Sequence, residues 1–217
     1  MKHTFSSLLS FPFIVRLLGL LTLAVSLLEQ SAHATDKVWK NGNPDFNKNA
    51  AWSPSGVPGP GDVADFNSAM GVQPNMSASV TIQELTFSTG ASSGYDLTSS
   101  NTGIKLTLTN TGTAGSSAIY SANTSGINTI DAPLVLGAAA NSTQTFTQVS
   151  GGTLVVNGVI SDTNNVTLSL AGGGIIQLGG ANTYTGGTTL TAGTLNINNA
   201  SALGTGTFTI ASGSNAI

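Results

Sequence analysis

The sequence predicts an all-β protein: a right-handed parallel β-helix with an aromatic N-terminal cap, preceded by a signal peptide. Three observations predict it. Short apolar segments recur at roughly 20–21 residues in the second half of the chain. Within them apolar and polar residues alternate, the period of a strand with one buried face. Gly separates them, where the chain must bend sharply.

The first element is the targeting segment, residues 1–34. A positive n-region begins at Met1-Lys2-His3 and runs to Arg16. An apolar stretch follows from Leu17 to Leu28, and Ala32-His33-Ala34 supplies the small-x-small pattern that signal peptidase reads. An ordinary spanning helix needs about 20 apolar residues, more than this stretch provides, so a cleaved signal is expected rather than an anchor. Cleavage after Ala34 leaves 183 of the 217 residues, with 4 Lys, 8 acidic residues and a net charge of −4. It also removes Arg16, His3 and His33, so the exported chain holds no Arg, no His and no Cys.

That composition excludes much. A disulfide has no cysteine, so burial and paired strands must hold the fold. Nucleophilic triads lack a His base, and zinc lacks its usual nitrogen and sulfur ligands. Four scattered lysines do not make a nucleic-acid surface. Gly172-Gly173-Gly174 precedes a strand, not the helix that a phosphate loop requires. No cofactor is expected.

The second element, residues 35–90, holds Trp39, Phe46, Trp52, Phe66 and most of the exported charges. Pro58-Gly59-Pro60-Gly61 is a strong turn signal. A solenoid has open ends that need covering, and large aromatics at the start suit that task. The functional alternative is an aromatic platform for sugars on Trp39 and Trp52.

The third element, residues 91–217, carries the repeats. Apolar strands begin near Leu134, Leu154, Ile175 and Leu195, nearly evenly spaced. A second set lies around Phe146, Val166 to Leu170, Leu190, and Phe208 with Ile210. Weaker steps of the same length join Leu85, Leu106 and Ile127. Such a unit cannot bury its own apolar face, whereas stacked rungs share one core. The runner-up architecture is a β-sandwich, whose strands have no reason to keep a fixed spacing.

The clearest copy is residues 174–204, which contain Asn182-Thr183-Tyr184, Gly186-Gly187-Thr188 and Gly193-Thr194-Leu195. This copy resembles the autotransporter-associated β-strand repeat, also called the passenger-associated transport repeat. Gly152-Thr153-Leu154 looks like the end of a degenerate copy, two rungs upstream of Gly193-Thr194-Leu195. The N-terminal segment is similar to the start of such exported proteins: Trp39, Asn49-Ala50-Ala51-Trp52-Ser53, Gly56 to Asp62, Ala64 and Phe66. The resemblance implies a β-helical passenger at the cell surface or secreted, serving export or folding rather than catalysis. It departs from the family in showing no membrane β-barrel, which needs at least eight strands of about ten residues. The chain stops at Ile217 without a recognisable cap, and is expected to be the first section of something longer.

No catalytic, cofactor or metal residue is predicted. Asp62 and Asp65 are the one acidic pair to weigh, for a polysaccharide-degrading enzyme or a calcium site. Asp62 is expected to bond turn amides instead. Tyr184 and Asn182 are expected to be structural, the ring as a wedge and turn asparagines as ladders of amide bonds. Asn75, Asn123, Asn141 and Asn165 fit the glycosylation pattern, with nothing built on them. The expected function is a structural passenger segment that supports export and adhesion. The expected partners are the export machinery and surface glycans or neighbouring cell surfaces.

Overall fold

The computed structural model describes residues 35–88, 93–110 and 117–211, so the expected signal peptide lies outside the described residues. Among them the chain is all-β apart from one short 3-10 turn at Asn49–Ala51. The first strands are β1 (Asp36–Trp39), β2 (Trp52–Ser53), β3 (Val63–Asp65), β4 (Asn75–Met76), β5 (Val80–Ile82) and β6 (Glu84–Phe87). Then come β7 (Asp96–Ser99), β8 (Leu106–Leu108), β9 (Ile119–Ser121), β10 (Ile127–Ile130), β11 (Leu134–Leu136) and β12 (Thr143–Gln148). The last are β13 (Thr153–Val156), β14 (Ile160–Asp162), β15 (Thr167–Ala171), β16 (Ile175–Leu178), β17 (Thr188–Leu190), β18 (Thr194–Ile197) and β19 (Phe208–Ile210).

These strands form three sheets, which the chain visits in rotation from β3 to β16; β17, β18 and β19 then alternate between the first two. One has nine strands, in the order β19-β17-β15-β12-β9-β6-β3-β1-β2. The second runs β18-β16-β13-β10-β7-β4, and the third β14-β11-β8-β5. Every strand pair is parallel except β1 with β2. This is a parallel β-helix, as expected. A sandwich would need antiparallel sheets.

The stack stands because like sits on like. In the nine-stranded sheet Ala64, Leu85, Ile119, Phe146, Leu170 and Leu190 occupy matching register positions. All six side chains are buried. The third sheet stacks Val80, Leu106, Leu134 and Ile160, and the second stacks Ile130, Val156 and Leu178. Rungs lie about 4.8 Å apart, so each column is in continuous van der Waals contact. Burying one such side chain contributes about 1.5–3 kcal/mol.

The rung length is not the constant that the sequence spacing suggests. Leu168 pairs with Thr188 and Ile175 with Thr194, which are steps close to the expected length. Further up the stack the steps lengthen, for Leu134 pairs with Ile160 and Leu85 with Ile119. Leu134 and Leu154 do not stack, because they belong to different sheets. The same holds for Leu85, Leu106 and Ile127. The set from Phe146 through Leu170, Leu190 and Ile210 does stack. So do Leu154, Ile176 and Leu195, the two-rung step read from the sequence.

One corner shows why Gly recurs. Gly94, Gly126, Gly151, Gly172 and Gly193 all have positive φ, and each precedes a strand of the six-stranded sheet. At Gly172 an added Cβ would also sit 2.0 Å from the Gln148 backbone oxygen. Only Gly combines the conformation with that close approach.

The aromatic cap forms as expected. Trp39, Phe46, Trp52 and Phe66 are buried, with ring centroids 4.7–6.4 Å apart, mostly in edge and tilted arrangements. Phe66 continues the cluster onto Phe87 and Tyr95. Trp52 Nε1 donates to the Phe46 carbonyl at 2.8 Å. The antiparallel β2 lies along the outer edge of β1, pairing Trp52 with Trp39. Pairing then runs on through β3, β6 and β9, across the change of composition near residue 90.

Candidate functional site

Trp39 and Trp52 are 2% and 0% exposed, so neither ring face is offered to a sugar. The aromatic-platform alternative is thereby corrected. Four aromatics within one chain segment pack on each other before they pack on solvent, since each buries about 150–250 Å².

Asp62 and Asp65 do not share a site. Asp62 Oδ2 accepts the Gly59 N–H at 2.8 Å and closes the Pro58–Asp62 turn. Asp65 lies on β3, on the outer face of the nine-stranded sheet. There it meets two carboxylates that sequence reasoning did not group with it. Asp36 on β1, Asp65 on β3 and Glu84 on β6 line a depression of about 240 Å³ with Val63, Thr86 and Ser88. Register explains the gathering: Asp36 stacks on Val63 and Val63 on Glu84, while Asp65 stacks on Thr86. The two steps, Asp36 to Val63 and Val63 to Glu84, are unequal, so no sequence repeat announces the cluster.

Burial pushes Glu84 up to about 7, and the charges of Asp36 and Asp65 add to the rise. Asp65 is raised as well, by burial first; hydrogen bonding from Ser88 opposes this, and the charge of Asp36 adds to it. Asp65 Oδ1 and Thr86 Oγ1 are buried without a hydrogen-bond partner. Among the described residues no group of three His, Cys, Asp or Glu could hold a metal ion. Asp65 and Glu84 thus stand beside the charge of Asp36 in a setting that favours their protonated forms.

Tyr184 and Asn182 are both buried. The Tyr184 hydroxyl is hydrogen-bonded to the Thr188 hydroxyl, and burial pushes its ionisation up to about 12 despite that bond. Asn182 Oδ1 accepts the Ile160 N–H at 2.8 Å, and its Nδ2 donates to the Ala202 carbonyl at 2.7 Å. One side chain thus ties three rungs together. Two turn asparagines pair across one step of the stack, Asn165 Nδ2 donating to Asn141 Oδ1 at 2.7 Å. Both asparagines have positive φ, which Asn tolerates better than most residues. Asn123 is fully buried.

These features define a parallel β-solenoid whose conspicuous polar groups close turns and join rungs. One relative is the adhesin BmaC autotransporter of Brucella suis biovar 1 (strain 1330). It is 32% identical over 203 residues, which cover 85% of this chain and 5% of that protein. The chain is thus similar to a small part of a far longer autotransporter adhesin. No family model matches the chain, and no solved structure matches it. No helix among the described residues is long and apolar enough to cross a membrane.

Proposed function

We propose that the chain is a β-helical passenger segment of an autotransporter-like surface or secreted protein, non-enzymatic, which supports passenger export and folding and contributes to adhesion. The observation that carries this is the unbroken parallel stack, combined with similarity to a named autotransporter adhesin over most of the chain. A stacked passenger folds rung by rung, because each rung needs only its neighbour. It therefore suits a chain that becomes available progressively. The lack of charge on the core columns and the many strand hydrogen bonds give rigidity without disulfides.

Residues 1–34 serve as the cleaved export signal in this reading, residues 35–90 as the cap and residues 91–217 as the repeats. Residues 174–204 form one copy of the autotransporter-associated repeat. Asn182 joins successive rungs, and the Tyr184 hydroxyl bonds to Thr188 in its own rung and reaches the Ala202 carbonyl of the next; both roles support that assignment.

An epitope tag in the turn at residues 199–201 tests the reading in intact cells. Surface labelling, together with an N-terminus beginning at Thr35, is the expected result. A tag found only in the cytoplasm, on a chain that still begins at Met1, would overturn it.

A further inference from the structure

The corner between the six-stranded and four-stranded sheets changes length from rung to rung. Between β7 and β8 that corner takes up residues 100–105. It shrinks to residues 131–133 and 157–159 on the next two rungs. On the following rung the chain passes from β16 to β17 without a strand of the four-stranded sheet, and the Thr183 N–H bonds the Ile160 carbonyl at the end of that sheet. Beside the longer corner, the two short ones leave a notch in the side of the rod. Its cavity is about 690 Å³, within the span of small-ligand sites. It is lined from four successive rungs, which extends it over about 14 Å.

The chemistry is mixed in a particular way. Asp131 and Asn157 lie on the floor, both exposed, with Asn157 Nδ2 donating to Asp131 Oδ1 at 2.9 Å. This sets a carboxylate acceptor beside an amide on adjacent rungs. Lys105 stands at one wall and Thr183 at the other. Pro133 and Val159 add an apolar surface, Val159 being 42% exposed.

We propose that this notch binds a neutral saccharide unit. Adjacent sugar hydroxyls would be met by the Asp131–Asn157 pair and by Lys105, and the C–H face of the ring by Pro133 and Val159. Other ligand classes fit less well. A nucleic acid or polyanion would meet one lysine beside a carboxylate. A peptide strand would need open backbone on the outer edge of β14. There the Ile160 N–H is taken by Asn182 and its carbonyl by the Thr183 N–H at 2.9 Å. The proposal goes beyond the passenger reading, since a rod with an empty notch would still be a stalk.

The test is saturation-transfer NMR on the full chain with methyl glycosides of glucose, galactose, mannose and N-acetylglucosamine. The expected result is transfer to at least one of them. Val159→Trp, which fills the notch, should abolish it, and Asp131→Ala should weaken binding about tenfold by removing the main acceptor. Thr189→Ala, on the outer face of the nine-stranded sheet, should leave binding unchanged. Asp131 and Val159 are both exposed, and a thermal melt shared by all variants shows that the fold is kept. Silence from all four glycosides overturns the proposal. So does transfer that survives Val159→Trp, or displacement of a bound glycoside by Asp131-independent peptide binding.

Discussion

Replacing Glu84 by Gln should stabilise the protein above neutral pH and leave it unchanged in acid. Glu84 sits with Asp36 and Asp65, and its pKa rises from 4.5 to about 7 on folding, burial being the first cause. Below 4.5 the carboxyl is protonated in both the folded and the unfolded chain, so it has no effect on their balance. Between 4.5 and about 7 the unfolded chain ionises while the folded one holds its proton, and stability falls as pH rises. Above that range both are ionised, and the folded state carries the full cost of burying the charge beside Asp36 and Asp65. A shift of this size is nominally about 3 kcal/mol. Glu84 is only partly buried, so solvent screening reduces the expected figure to about 1–2 kcal/mol. The amide of Gln keeps the shape and removes the charge. Urea denaturation of both proteins at pH 4 and pH 8 measures the difference directly. For a domain of this size about 1–2 kcal/mol corresponds to a rise of roughly 2–8 °C in Tm at pH 8. An E84Q protein no more stable than the parent at pH 8 would refute the argument, since it would mean that folding neither desolvates the Glu84 charge nor sets it against Asp36 and Asp65.

Three further outcomes follow from the packing. Gly172→Ala should cost about 2–4 kcal/mol in chemical denaturation, because it adds a Cβ against backbone at a positive φ. Trp52→Ala should cost about 3–5 kcal/mol and collapse the near-ultraviolet circular dichroism of the cap, since it removes the ring that touches Trp39, Phe46 and Phe66. Asn182→Ala strands the Ile160 N–H and leaves the Ala202 carbonyl only the Tyr184 hydroxyl at 3.5 Å; it should cost about 2–4 kcal/mol and speed amide exchange at Ile160.

The strands were legible in the sequence and the rung lengths were not. Val166, Leu168 and Leu170 alternate with polar neighbours, and alternation follows from a pleat with one buried side. Phe146, Leu170, Leu190 and Ile210 stack as their spacing suggests, because the corners between them are short. Leu134 and Leu154 misled because apolar strands occur in all three sheets. An even spacing can therefore join strands of different sheets as easily as equivalent ones. The cap could be read because buried aromatics cluster in sequence as well as in space. The carboxylate cluster could not, because Asp36, Asp65 and Glu84 come together only once irregular corners have set the register.

That division has a physical origin. Register in a parallel stack is fixed by side-chain columns and strand hydrogen bonds, both local to each pair of rungs. A corner that doubles in length costs only a little chain entropy, since closure cost rises slowly with length. The core columns continue undisturbed beneath it. The notch illustrates this: its two short corners and the longer one at residues 100–105 all rest on the same buried column of Leu106, Leu134 and Ile160. A fold of this kind can change its surface rung by rung without changing its core. Its chemistry should accordingly be sought where corner length changes, and its stability where it does not.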